Sequence, residues 1–316
     1  MRRWGTLLLT TALSTALSTG LTIGLVASTA SVVRAGPGTP EFPWSMSGSL
    51  SSEACDLADE RRSGGTLRGL DSEPLDLDAA DEHLTADTRM VVGSRRQGRW
   101  GAALTIAADQ TAEVVEPGCD VSFSYDGRVE ARRSFRGPGW VQVNISGRGP
   151  LESSVEVTSD GQVVGTVVPG DGTRRFAVPA GEATAALLGT LTSEVPADAE
   201  PGRHSTSGTA YVEVLLVEAG GSPTKQDVVS GGPYLHLPDT LRCGDEPRLR
   251  VSVPKRMRQK LKRAVLRVDN RRVIGHRRDK TISLAVAPAL DVDASLFVKL
   301  RNGKRATIER SYLPCS

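Results

Sequence analysis

Aromatic side chains are scarce: five Phe, four Trp and four Tyr make up 4% of the 316 residues. Rings are the stacking platforms for bases, so single-strand nucleic-acid binding, which needs several in series, is not expected. Few rings also mean few large core anchors, leaving the interior to aliphatic packing and covalent links. Histidine is equally rare. His83, His204, His236 and His276 stand apart, none at ligand spacing from another. The four cysteines are also dispersed, which excludes the close Cys/His pairs of a zinc site. No Gly-x-Ser-x-Gly elbow occurs. Ser222-Pro-Thr-Lys225 has Ser-x-x-Lys spacing, but Pro223 opposes the helix such a site requires and no Lys-Thr-Gly follows. A Ser/His/Asp triad can still assemble from distant positions, and His204, in Arg203-His-Ser-Thr-Ser-Gly208, is the histidine beside several hydroxyls. The expectation is a chain without cofactor, metal or catalytic site.

Charge is missing too, from one segment. After Arg2 and Arg3, no ionisable side chain occurs from Trp4 to Val33, a run holding Leu7-Leu-Leu9 and Leu21-Thr-Ile-Gly-Leu-Val26. Small residues close it, Ala27-Ser-Thr-Ala30 and then Val33-Arg-Ala35. A charged start, an apolar middle and small residues at the end make residues 1–35 a secretory signal, cut after Ala35 or alternatively Ala30. A retained membrane anchor is the rival reading, weakened by the many Ser, Thr and Gly residues in the run. No second segment of that kind follows, so no membrane span is expected after cleavage. The protein is expected outside the cell, secreted or held at the cell wall by non-covalent contacts.

An even number of cysteines in an exported chain reads as disulfides. Three pairings exist in principle. Position favours Cys55–Cys119 in the first half and Cys243–Cys315 bracketing the last segment. Each loop is long enough to contribute about 4 kcal/mol by restricting the unfolded chain.

A Gly/Pro/Ser-rich stretch, residues 36–52, reads as a flexible lead. Residues 53–90 are polar and acidic, with one or two helical turns expected over Ser51–Glu60, ended by Ser63-Gly-Gly65. Beyond them the texture is all-β. Thr105-Ile-Ala107, Ala112–Val115 and Asp120–Tyr125 read as short strands, with a turn at Asp126-Gly127. Trp140–Ile145 alternates strictly, and Asp160-Gly161 between Val155–Val157 and Val163–Val168 signals a hairpin. Strands at this spacing make residues 53–218 a β-sandwich, jelly-roll-like or Ig-like. Residues 219–233 form a Gly/Ser/Pro linker. From 234 to 316, alternating Leu249, Val251 and Val253, a turn at Asp269-Asn270 and another at Asn302-Gly303 give a second, smaller sandwich.

That second module carries a resemblance. Cys243, Val253-Pro-Lys-Arg256, Leu266-Arg-Val-Asp-Asn-Arg-Arg-Val273, Gly303-Lys-Arg305 and Arg310-Ser-Tyr-Leu-Pro-Cys315 stand in a recurring order. In that pattern it resembles the Ig-like modules that end secreted proteins of high-GC Gram-positive bacteria. Asn270 takes the usual turn glycine's place and still tolerates a left-handed conformation. The resemblance implies a fold and a compartment; it carries no active site and leaves the first module unassigned.

The net charge of +2 conceals a division. Residues 36–241 carry 16 Lys/Arg against 30 Asp/Glu, a balance of −14; residues 242–316 carry 20 against 7, a balance of +13. The densest basic run is Lys255, Arg256, Arg258, Lys260, Lys262 and Arg263, joined by Arg267. It is either a solvated surface or a contact for an anionic cell-wall polymer or polysaccharide. The acidic stretch Asp71, Glu73, Asp76, Asp78, Asp81 and Glu82 invites a calcium loop, although it lacks the spacing and central Gly of an EF-hand. Trp44, Trp100, Trp140 and Tyr125 are the rings that could meet a sugar, Trp100 being the one expected to be exposed. The sequence therefore reads as a non-catalytic exported binding or structural protein. The alternative is an exported hydrolase or carbohydrate-active protein with its site within residues 53–218. Oligomeric state is not legible.

Overall fold

The computed structural model describes residues 40–68, 70–98 and 100–315; the signal segment lies outside them. The described chain is all-β apart from one short helix. It begins with β1 (Phe42–Ser52), β2 (Leu57–Leu67), β3 (Leu70–Ala80) and β4 (Leu84–Gln97). Next come β5 (Gly101–Val114), β6 (Val121–Phe135), β7 (Gly139–Arg148) and β8 (Glu152–Ser159). Then β9 (Gln162–Val167), β10 (Arg174–Val178), β11 (Gly181–Val195) and β12 (Gly202–Glu218) retrace that path. The pairing is nested: β5 with β12, β6 with β11, β7 with β10, β8 with β9. The reversal is at Asp160-Gly161, whose φ values of 47° and 80° are both positive, as a two-residue hairpin turn requires. Successive pairs of this double ribbon fall alternately into two sheets, which is a jelly roll. β1 and β2 extend one sheet and β4 and β3 the other, giving orders β2-β1-β6-β11-β8-β9 and β10-β7-β12-β5-β4-β3.

The alternation read in Trp140–Ile145 is obeyed: Val141, Val143 and Ile145 are buried while Gln142 and Asn144 point away from the core. Leu104, Ile106, Val129, Leu187 and Val212 fill the space between the sheets. Few rings are needed because glycines let the sheets interlock. Gly127 and Gly189 are register partners on β6 and β11, and Met90 and Ile106 from the facing sheet press into the notch they leave. Asp126-Gly127 is therefore mid-strand, not the expected turn.

Three other expectations fail in this module. The flexible lead is strand from Phe42, because Phe42, Met46 and Leu50 recur at core-facing positions. The expected helical turns give way to a hairpin, with Leu57–Leu67 paired along β1. The acidic loop is strand β3, whose Leu75 and Leu77 are buried. Both β2 and β3 lie at sheet edges, where charged side chains discourage pairing with another chain.

The second module holds β13 (Asp227–Ser230), β14 (Arg248–Ser252), helix α1 (Lys255–Lys260), β15 (Leu261–Val268), β16 (Arg271–Gly275), β17 (Thr281–Ala285), β18 (Val292–Leu300) and β19 (Arg305–Tyr312). A five-stranded sheet, β13-β19-β18-β15-β16, packs over the β14-β17 pair around Leu249, Val251, Leu266, Leu296, Val298 and Ile308. Each module holds one disulfide, Cys55–Cys119 and Cys243–Cys315, both with Cα atoms 5.5 Å apart.

The segment expected to be a loose linker is built into the fold. Ala219 N–H donates to Pro138 O and Gly220 N–H to Pro314 O, both at 2.9 Å, and Leu313 N–H donates to Gly221 O at 2.9 Å. Gly220 adopts φ +71°, with the Cys243 sulfur 2.5 Å from where a Cβ would stand, so the chain passes against the disulfide. Further along, Asp227–Ser230 joins β19 as an edge strand. Trp140 Nε1–H donates to Pro314 O at 3.0 Å, and Arg175 holds Asp291 at 2.8 and 2.7 Å. The two sandwiches thus meet through hydrogen bonds and an ion pair.

Candidate functional site

The predicted basic residues divide between two elements. Lys255, Arg256, Arg258 and Lys260 lie on α1, which follows Pro254, a residue that cannot extend a helix backwards. None of the α1 residues is buried. Arg301 N–H donates to Lys260 O at 2.8 Å, so the turn between β18 and β19 is fastened to the end of α1. Lys262 and Arg263 follow on β15 and face the outer surface of the five-stranded sheet.

Two features of this end bear on binding. A groove of about 530 Å³ lies beside α1, lined by Tyr234, His236, Arg250, Arg256, Met257 and Lys260 among others, with no carboxylate among its lining residues. On the sheet, the Lys299 ammonium is held below the usual lysine range, chiefly by the positive charge of Arg305, then by Lys262, partial burial and Arg263. Among the described residues, none of these four cations has a carboxylate within ion-pair distance. Arg258 Nε is buried without a hydrogen-bond partner among the described residues. Lys299 and Arg305 were not in the predicted set. The Asn302-Gly303 turn marks where the strands reverse, but a two-residue turn there would set Leu300 opposite Arg305, whereas the observed register sets Lys299 there.

In the first module the structure separates what a catalytic reading would need together. A cavity of about 390 Å³ at one end of the jelly roll is lined by Gln110, Phe123, Ser193, His204 and Ser205 among others. Ser193 Oγ donates to the Gln110 carboxamide, which cannot take its proton. His204 Nε2 lies 3.0 Å from Glu200 O. Ser222 Oγ donates to Thr224 O at 2.8 Å. His83 stands beside Glu82 and Glu116, while His236 and His276 are exposed on the second module.

The acidic residues are spread along β3, with Asp81 and Glu82 in the turn after it, instead of gathering in one loop. Asp76 and Asp78 lie on the outer face of β3, near Arg89 at 3.6 Å and Arg61 at 3.3 Å. The one group of three potential ligands among the described residues, Cys55, Asp81 and Cys119, contains both sulfurs of a disulfide. Trp100 is half-buried, with the Arg133 guanidinium 3.8 Å over its ring, and so is not the exposed ring expected. Trp140 serves the junction, Trp44 packs against the core, and Tyr125 is buried.

No family model matches this chain, and no curated protein matches it. Similar solved structures include the adhesin domain of Epf from Streptococcus pyogenes, 10% identical, covering 85% of this chain and 91% of that one at a TM-score of 0.17. A polysaccharide lyase is also 10% identical, covering 89% of this chain and 40% of its own length at a TM-score of 0.18. Scores this low carry no argument about function. Among the described residues no helix is long and apolar enough to cross a membrane.

Proposed function

We propose that this chain is an exported, non-catalytic binding protein that holds an anionic cell-wall polymer or polysaccharide at the basic end of its second module. Two closed disulfides suit an oxidising compartment. The second module resembles the Ig-like modules of secreted proteins of high-GC Gram-positive bacteria, and an export signal over residues 1–35 fits the same reading. The observation that carries the proposal is geometric: the sheet register sets Arg263, Lys299 and Arg305 side by side, with Lys262 close by and no carboxylate within ion-pair distance of them among the described residues. A solvated surface gains nothing from such crowding, whereas an anionic ligand relieves it.

The test is a salt titration of the mature chain, from residue 36, against immobilised acidic and neutral polysaccharides. Binding to the acidic polymer should fall steeply between about 50 and 200 mM salt, as counterion release demands. Salt-independent binding, equal retention on the neutral polymer, or turnover of ester, peptide or glycoside substrates would each overturn the proposal.

A further inference from the structure

The outer face of the five-stranded sheet has an order that the sequence does not display. Antiparallel register sets Arg263 on β15 opposite Lys299 on β18, and Lys299 opposite Arg305 on β19. Three cations therefore stand in one line across three adjacent strands, spanning about 10 Å at the usual inter-strand spacing. Like charges directly opposite one another destabilise a sheet, so this row works against the fold that carries it. One step along the same face the row is apolar: Ile274, Val265 and Phe297 are neighbours in register, with Thr307 beyond. Ile274 is 45% exposed, and the Arg263 guanidinium lies 5.9 Å from the Phe297 ring centroid. The next row along the face is mixed: Arg272 and Arg267 at one side give way, past Ser295, to Glu309 and Asp227 at the other, so the charged row of one sign is the Arg263–Lys299–Arg305 row.

A straight row of cations does not suit one small anion, which needs donors converging on a point. It suits a linear ligand bearing a negative group on successive units. The adjoining apolar row, with its single ring, suits the C–H face of a sugar and offers no series of rings for stacked bases. We infer that the outer face of this sheet, with Arg263, Lys299 and Arg305 as its charged row and Phe297 beside it, is the binding face for an acidic polysaccharide. The inference rests on the functional reading above and narrows it to one face and one ligand class.

Calorimetric titration of the mature chain with dextran sulfate, long-chain polyphosphate and neutral dextran tests it, using three variants. R263Q/K299Q/R305Q should weaken dextran sulfate binding at least tenfold and lower the slope of log K against log salt by about 3, close to one for each lost contact. Its thermal midpoint should stay level or rise, because the repulsion is removed, so lost binding cannot be ascribed to unfolding. R256Q/R258Q/K260Q, on α1, should weaken binding and lower the salt slope less than the row variant does. F297A should weaken dextran sulfate binding more than polyphosphate binding.

If the row variant binds like wild type while the α1 variant loses binding, this face is wrong and the broader reading survives. If the unaltered chain binds neither anionic polymer, both fail. An equal effect of F297A on dextran sulfate and polyphosphate removes the sugar contact. Tighter binding to phosphatidylglycerol vesicles than to dextran sulfate overturns the ligand class. Salt-sensitive dimers in sedimentation, abolished by the row variant, would assign the face to the acidic first module of a second copy instead.

Discussion

Tyr125 occupies an inward position on β6, where its hydroxyl donates to Leu75 O at 3.4 Å and lies near Thr88. Burial pushes its phenol up to about 12. An unfolded tyrosine ionises near ~10, so the folded state prefers the neutral phenol over the interval between. The sign follows: its contribution to stability is intact below about pH 10 and disappears as pH climbs toward 12. Tyr125→Phe should therefore raise the midpoint of alkaline unfolding, read by far-UV circular dichroism, while costing under about 1 kcal/mol at neutral pH. An unchanged alkaline midpoint would refute the argument. Arg133 occupies another inward position of β6. It is tolerated there because Trp100 and Phe135 sandwich its guanidinium, Leu216 O accepts from it, and Glu218 pairs with it at 3.3 Å. A charge at a core position needs partners of this kind, and no local pattern in the sequence announces them.

Among the strands, β6 and β11 show why turn signals can mislead. Asp-Gly is a strong hairpin dipeptide, and at Asp160-Gly161 it makes that turn. At Asp126-Gly127 the same pair lies mid-strand, where Thr190 Oγ1 donates to Asp126 at 2.7 Å and the missing Cβ of Gly127 admits Met90. The opposing Gly189 leaves only 3.1 Å between a would-be Cβ and Ile106 Cγ2. Gly189→Ala should destabilise the protein by about 1–3 kcal/mol through overpacking. Ile106→Ala should cost less in the Gly189→Ala background than alone, because each relieves the other's fault. Urea denaturation of the four proteins checks this, and strict additivity would show that the notch is not tight. The charge-rich β2 and β3 were illegible as strands for a related reason. Edge strands bury few side chains, so their alternation is faint: Leu75 and Leu77 are the main core contacts of β3.

Across the whole molecule, the two covalent links close loops with sequence separations of 64 and 72, each contributing about 4 kcal/mol in the chain-entropy account. The smaller second sandwich depends more on its bridge, since small domains bury a smaller share of their surface. Trp44, Trp100 and Trp140 all belong to the first module, and of these Trp140 also bonds Pro314 of the second, so tryptophan fluorescence reports mainly on the first module while circular dichroism reports on both. In the Cys243→Ser/Cys315→Ser variant, the dichroism transition should begin at lower urea than the fluorescence transition. Coincident transitions would mean that the contacts of Trp140 and Arg175 couple the modules into one cooperative unit. The charge division has the same dependence on assembly. Lys262 and Arg263 stood out as a run, but their crowding with Lys299 and Arg305 exists only once β15, β18 and β19 lie side by side.

Composition and local pattern by themselves determined the all-β class, the sites of the Asp160-Gly161 and Asn302-Gly303 turns, and two disulfides in separate halves. Each rests on period-two alternation, on backbone conformations few residues accept, or on the position of cysteines along the chain. The tertiary structure alone decided the nesting of the jelly-roll ribbon, the use of Gly127 and Gly189 as a packing notch, and the cationic row on one sheet face. Those features join residues far apart in sequence, and strand order and register, which bring them together, are set by long-range packing of the whole core.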